Sequence, residues 1–205
     1  MNFENVAIDG WASYLPQKIV SSADIEQRLS PIYDKLGLPY GRLELMTGIK
    51  ERRHWDVGTT PSSLSTAAAE ELFQQNPTWR DEVDLLIHAS VCRDFLEPAT
   101  ASVVHEKLKL NPNCTFFDLS NACLGVLNSI VVAAKMIESG SIKRALIVSG
   151  ENGAPLLEQT ISRILNDETI NRKNIKKLFA NLTIGSAAVA LTLTKADLAP
   201  NGLKL

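Results

Sequence analysis

Apolar positions along this chain alternate between two spacings, and the alternation runs nearly from end to end. Val6 to Leu15, closed by Pro16, reads as a first strand or strand pair, while Ser22 to Leu36 has helical spacing with Ser22 as its cap. Ser62 to Gln75 reads as a helix rich in Ala and Glu, and Val83 to Val91 as a compact apolar strand. The loop Cys92 to Pro98 leads into a helix over Thr100 to Leu108, and Cys114 to Leu119 is a further strand. Arg144 to Ser149 is a short buried strand, closed by the turn Gly150-Glu151-Asn152-Gly153. Leu156 to Leu165 is helical, 166–174 is a polar loop, and Gly185 to Thr194 is the last strand. Strands and helices that alternate in this way predict an α/β layered domain, a sheet flanked by helices.

The segment Phe116-Phe117-Asp118-Leu119-Ser120-Asn121-Ala122-Cys123-Leu124-Gly125 runs from a strand through small polar residues to a cysteine that opens an apolar helix. Val126, Leu127, Ile130, Ala134 and Ile137 follow at three- and four-residue spacing and share a face with Cys123. Val131, Val132 and Ala133 make the rest of that helix apolar, which predicts burial on most sides and Cys123 at the inner end of a pocket. Ser120 or Asn121 can cap the helix, and no Glu or Gln stands where a capping box needs one. First-turn amides left open, with the positive end of the helix dipole, favour a thiolate and can hold the oxyanion formed when a thioester is attacked. A cysteine among apolar residues is also a common core filler, so its chemistry rests on the turn around it.

Composition narrows the field. The chain has 205 residues, a net charge of −2 and 45% hydrophobic residues, enough to bury a real core. No Lys/Arg stripe interleaved with aromatics points to nucleic acid. No apolar stretch reaches the length of a membrane span, and no leader pattern opens the chain, so a cytoplasmic location is expected. Cys92, Cys114 and Cys123 show no C-x-x-C spacing, which argues against a disulfide framework or a zinc site. Gly150 to Gly153 lacks the spacing and the Lys-Ser/Thr ending of a phosphate loop.

Four segments together resemble the thiolase superfamily. They are Thr47-Gly48-Ile49 with Glu51-Arg52-Arg53; Cys92-Arg93-Asp94-Phe95-Leu96-Glu97-Pro98-Ala99-Thr100-Ala101; Asp118 to Gly125; and Leu182-Thr183-Ile184-Gly185-Ser186-Ala187-Ala188. Within that superfamily the chain is similar to ketoacyl synthase III-like condensing enzymes, the OleA type of long-chain olefin biosynthesis above all. The resemblance implies a Claisen condensation of two long-chain acyl-CoAs to a 2-alkyl-3-ketoacyl-CoA, with Cys123 as the acyl-accepting nucleophile. Coenzyme A enters as a thioester substrate, with no separate cofactor and no metal. It also implies a homodimer and a duplicated α/β fold of which residues 1–198 form the N-terminal unit and 199–205 the start of a connection. The family's catalytic His and Asn and one oxyanion-hole glycine belong to its second unit, in cis or in a partner polypeptide.

Glu97 precedes a proline and lies on a loop leaving a strand, where functional side chains concentrate. Read alone it is an ordinary solvated acid. By the resemblance it reaches into a neighbouring subunit's site and removes the α-proton of the second acyl-CoA, a step that a donor without a malonyl carboxylate requires. A fixed carboxylate there also repels malonyl donors. Arg93 and Asp94 are expected to fix the loop. Arg42, Lys50, Arg52 and Arg53 form a basic cluster that can meet coenzyme A phosphates or simply face solvent. Family members using acetyl-CoA often carry Trp five residues and Arg one residue before Thr-Gly-Ile, where this chain has Arg42 and Met46. His88 in a strand and His105 in a helix read as structural, His54 as a surface residue, and Gly125 as a point of close packing. Two other readings stay open: a decarboxylating 3-oxoacyl-ACP synthase III taking acyl-ACP, and a non-catalytic half-length subunit completing a partner's fold.

Overall fold

A computed structural model describes residues 3–205. In chain order the elements are β1 (Val6–Tyr14), β2 (Lys18–Ser21), α1 (Ser22–Arg28), α2 (Ser30–Leu36), α3 (Arg42–Thr47), β3 (Glu51–His54) and α4 (Pro61–Gln75). Then come α5 (Trp79–Glu82), β4 (Leu85–His88), α6 (Thr100–Leu108), β5 (Thr115–Asp118), α7 (Gly125–Glu138) and β6 (Arg144–Glu151). The chain continues with α8 (Ala154–Asn166), α9 (Phe179–Thr183), β7 (Ala187–Lys195) and β8 (Leu203–Lys204). The residues divide into two compact units, one holding the chain up to Tyr14 with 59–151 and 187–205, the other 15–58 and 152–186.

The first unit is built on a six-stranded mixed sheet in the order β5-β4-β6-β7-β1-β8. Strand β4 pairs in parallel with β5 and with β6, and β7 runs antiparallel to both β6 and β1. Leu85, Ile87, Ala145, Ile147, Leu191 and Leu193 form one core face, against which Ala133, Ala134 and Ile137 of α7 pack. Leu85 to His88 and Arg144 to Gly150 are buried at every position, so the sheet is covered on both faces, as an α/β layer requires. At its far edge β8 adds two residues beside Ala7 and Ile8. In the second unit β2 and β3 pair antiparallel, and Ile25, Leu29, Tyr33, Leu43, Ile161, Ile164 and Phe179 make a core of their own.

The helix expected over Ser22 to Leu36 is two helices meeting at Leu29, whose ψ of 8° is outside the helical range. The proline ring of Pro31 clashes with a carbonyl one turn earlier in a continuous helix, and it sits instead in the first turn of α2. The cap is Ser21 rather than Ser22: its hydroxyl accepts from the Asp24 amide, and Asp24 accepts in return from the Ser21 amide. Gly150 and Glu151, expected in a turn, are the last two residues of β6. A Cβ at Gly150 would stand 2.6 Å from the carbonyl of Pro61, so only glycine lets α4 approach this strand. The pair β2 and β3 escaped the pattern because Lys18, Glu51, Arg52 and Arg53 break the alternation of apolar residues.

His54, read as a surface residue, is only 2% exposed, and its Nδ1 lies 3.3 Å from the Ser186 hydroxyl. His88 is fully buried, and neither ring nitrogen has a hydrogen-bond partner. Burial pushes the pKa of both imidazoles below the usual value, assisted at His54 by Arg52 and Lys18 and opposed at His88 by Asp118, Glu151 and Asp94. Above the unfolded value near 6.5 both histidines are neutral folded or unfolded; below it the unfolded chain takes up protons that the folded chain refuses. Stability therefore falls as pH drops below about 6.5, and His88→Asn flattens that fall, as urea unfolding at pH 5.5 and 7.5 will show.

Candidate active site

Strands β4 and β5 are parallel neighbours with His88 opposite Asp118, so their C-terminal ends open on the same edge of the sheet. Ligand-binding groups of open α/β sheets gather at such ends. From β4 the chain enters the 92–99 loop with Glu97; from β5 it enters the turn with Cys123. The two residues singled out from the sequence therefore leave adjacent strands in the same direction.

Cys123 sits in a 3-10 turn, Ala122–Leu124, directly before α7. Ala122 has a φ of 43°, a left-handed conformation that costs a residue with a Cβ about 1–3 kcal/mol. No side chain caps this turn: Asn121 bonds Asn128 through its side-chain amide at 2.6 Å, and its carbonyl accepts from the Leu124 amide. The expectation that Cys123 is buried with the apolar face is overturned, because the cysteine is exposed. A 3-10 turn advances the chain at three residues per turn, so the helical phase of α7 does not extend back through Cys123. The buried residues of α7 are Gly125, Ser129, Ala133, Ala134 and Ile137, while Leu124 and Leu127 are 52% and 57% exposed beside the cysteine. Gly125 holds the helix start against the sheet: a Cβ there would stand 3.0 Å from the carbonyl of Ala89.

The loop bearing Glu97 is exposed at its tip and pinned at its base. Asp118 accepts hydrogen bonds from the amides of Thr100 and Ala101 at 2.9 and 2.8 Å, closing the start of α6, where Ala99 offers no capping side chain. Hydrogen bonds to a charged group contribute about 1.5–3 kcal/mol each. At the other end Glu151 accepts from the amides of Val91 and Cys92 at 2.6 and 3.2 Å. Asp94 accepts from the Ser62 amide, and its own amide donates to the Thr100 hydroxyl, a loop-fixing role. Phe95, Leu96, Glu97 and Pro98 face solvent. Asp118 and Glu151 escaped attention in the sequence, and the signal for Asp118 was an alanine at the position where α6 needs a cap.

The basic cluster does not act as one patch. Arg52 is 6% exposed and donates to the carbonyl of Val20 and the hydroxyl of Ser22, so it secures the β2 and β3 pair rather than facing a phosphate. Lys50 and Arg53 are exposed, Arg53 with one bond to the carbonyl of Pro16, and Arg42 is half-buried at the start of α3. The turn before Arg42 is fixed by buried Glu26, which accepts from the amides of Gly41 and Leu43 and from the Tyr33 hydroxyl. His105 bonds the carbonyl of Asn111 through Nε2 at 3.1 Å and packs on Phe116, a structural part. Among the described residues no group of His, Cys, Asp and Glu could hold a metal ion, and no helix is long and apolar enough to cross a membrane.

The fold is thiolase-like, and the chain is similar to enzymes of the ketoacyl synthase III kind. Residues 117–202 match the family of 3-oxoacyl-[acyl-carrier-protein] synthase III. The acyl-CoA:acyl-CoA alkyltransferase of Xanthomonas campestris is 36% identical over 201 residues, covering 98% of this chain and 59% of the relative. That of Shewanella oneidensis is 38% identical over 198 residues, 97% of this chain and 56% of the relative. The beta-ketoacyl-[acyl-carrier-protein] synthase III of Desulfitobacterium hafniense is 35% identical over 164 residues, 80% and 45% of the two. The crystal structure of cerulenin-bound Xanthomonas OleA superposes with a TM-score of 0.93 at 36% identity, covering 98% of this chain and 60% of that one. The chain thus spans somewhat over half the length of the alkyltransferases it matches.

The thiols separate chemically. Burial, with Asp84 nearby, pushes the pKa of Cys114 up to about 11, whereas Cys123 is open to solvent. With iodoacetamide at pH 8, Cys123 is expected to alkylate at least about tenfold faster than Cys114, read by peptide mass spectrometry. Ala122→Val, placing a β-branched residue at a left-handed φ, is expected to lower stability by about 1–3 kcal/mol in urea unfolding.

Proposed function

We propose that this chain is the nucleophile-bearing unit of an acyltransferase that condenses two long-chain acyl-CoAs to a 2-alkyl-3-ketoacyl-CoA. The observation that carries the reading is the pairing of β4 with β5, which sends the Glu97 loop and the Cys123 turn off the same edge of the sheet. The Cys123 thiolate attacks the carbonyl of the first thioester, and the thiolate of coenzyme A leaves. The Glu97 carboxylate takes the α-proton of the second acyl-CoA, and the resulting carbanion attacks the acyl-Cys123 carbonyl. The new carbon–carbon bond forms as the Cys123 thiolate is released. Two copies form the working assembly, with Glu97 of one serving Cys123 of the other, and the His and Asn of the family come from a second unit. Lys50, Arg53 and Arg42 remain available to coenzyme A phosphates. Such a thiol nucleophile suits the reducing cytoplasm.

The similarity to synthase III enzymes supports a second reading, decarboxylating condensation with a malonyl donor on acyl carrier protein. Glu97 argues against it, since an exposed carboxylate in the loop repels the malonyl carboxylate. The two are separated by incubating the full-length protein carrying this chain with long-chain acyl-CoA alone. An acyl mass increment on Cys123 and a ketoacyl-CoA product are expected; Cys123→Ala should show neither, and Glu97→Gln the increment with little product. No increment on the wild type, or an equal one on Cys123→Ala, sinks the assignment, and product only with malonyl donor transfers it to the second reading.

A further inference from the structure

Resting on that reading, we propose that Glu151 is a positioning residue for the reaction, acting through Glu97. It stands at the end of β6, next but one to β5 across β4, and contributes the last side chain of that strand. Its two carboxylate oxygens are divided between successive amides, Val91 to Oε1 and Cys92 to Oε2, at the point where the chain leaves β4. Those amides have left the sheet ladder: one residue past β4 the Ala89 amide still donates to the carbonyl of Val148 in β6. Glu151 therefore fixes the direction in which the loop departs. Asp118 fixes its return by closing α6. Between these two carboxylates lie seven residues, Arg93 to Ala99, among which Asp94 is anchored to Ser62 and Thr100 and the Ala99 carbonyl accepts from Ser102.

The tip of the loop is exposed from Phe95 to Pro98. Leu96 is 90% exposed and Phe95 56%, so the path to Glu97 is set by its two ends rather than by contacts at the tip. A proton-abstracting carboxylate must be held to within about an ångström, and a misplacement of that size costs about a hundredfold in rate. Asp118 also borders the cysteine turn, so its loss disturbs both halves of the chemistry. Glu151 touches the loop at the end away from Cys123 in sequence, and its effect should fall on one half only.

Glu151→Gln keeps one acceptor oxygen and turns an N–H₂ toward the other amide, donor against donor. In the full-length protein with long-chain acyl-CoA, acylation of Cys123 should stay within about twofold of wild type. Condensation kcat should fall about 10- to 100-fold with KM nearly unchanged. Combined with Glu97→Gln, the Glu151 change should cost nothing further, because the base it positions is gone. Equal losses in acylation and condensation, or a double variant well below Glu97→Gln alone, overturn the proposal and leave a structural carboxylate. Amide hydrogen exchange gives an arm independent of the reaction: residues 91–99 should exchange at least about tenfold faster in Glu151→Gln, with the rest of the sheet unchanged. If the wild type makes no acyl adduct, the reaction reading fails by itself. Unchanged exchange at 91–99 overturns the clamp whether or not the enzyme condenses.

Discussion

A single carboxylate at the end of an edge strand supports both chemical segments of this chain. Helix α6 begins at an alanine that cannot close its first turn, and the amides of Thr100 and Ala101 are buried. Asp118 satisfies them from β5, and one residue later its own chain leaves the sheet toward Cys123, with the Leu119 amide donating to the carbonyl of His88. Buried donors without partners are costly, so neither the helix nor the strand end can shift alone. The parallel pairing of β4 and β5 is thus transmitted into the loop and the turn as fixed geometry. Glu151 repeats the device from β6.

Much of this was legible in the chain. The strands at Leu85–His88 and Thr115–Asp118 and the helix at Thr100–Leu108 fall inside the spans their apolar pattern marks, most plainly at β4, which is buried at every position and so is apolar on both faces. What periodicity could not show is geometry that depends on a few backbone angles. The 3-10 turn at Ala122–Leu124 takes Cys123 off the buried stripe of α7, and nothing in the side chains of Val126 or Ile130 marks that change of phase. The charged strand at Glu51–His54 was hidden for the opposite reason, since its inward residues are Arg52 and His54, made tolerable by hydrogen bonds to Val20, Ser22 and Ser186. Long-range capping by Asp118 and Glu151 lies beyond local pattern altogether.

Around Cys123 the surface is apolar. Leu124 and Leu127 stand open next to the thiol, and Phe116 on the edge strand is 40% exposed. Elsewhere on α7, small buried residues and Ile137 lie on the sheet, with Val126, Ile130, Val132 and Met136 packed against the same core, so Leu127 is the large apolar side chain of the helix that stands exposed.

The order of strands also bears on how this chain is made. Strand β1 precedes the other strands of its sheet in the chain, yet among the described residues it pairs with β7 and β8, which follow all of them. Residues 15–58 and 152–186, which form their own compact unit, emerge from the ribosome in two instalments inside that interval. Until residue 187 is translated, β1 has no partner in the sheet and β6 lacks one on one side, so the unpaired edge of β1 persists while residues 15–186 are made. A sheet whose pairing joins strands so far apart in sequence keeps an edge open during translation, a demand on the cell's chaperones rather than on catalysis.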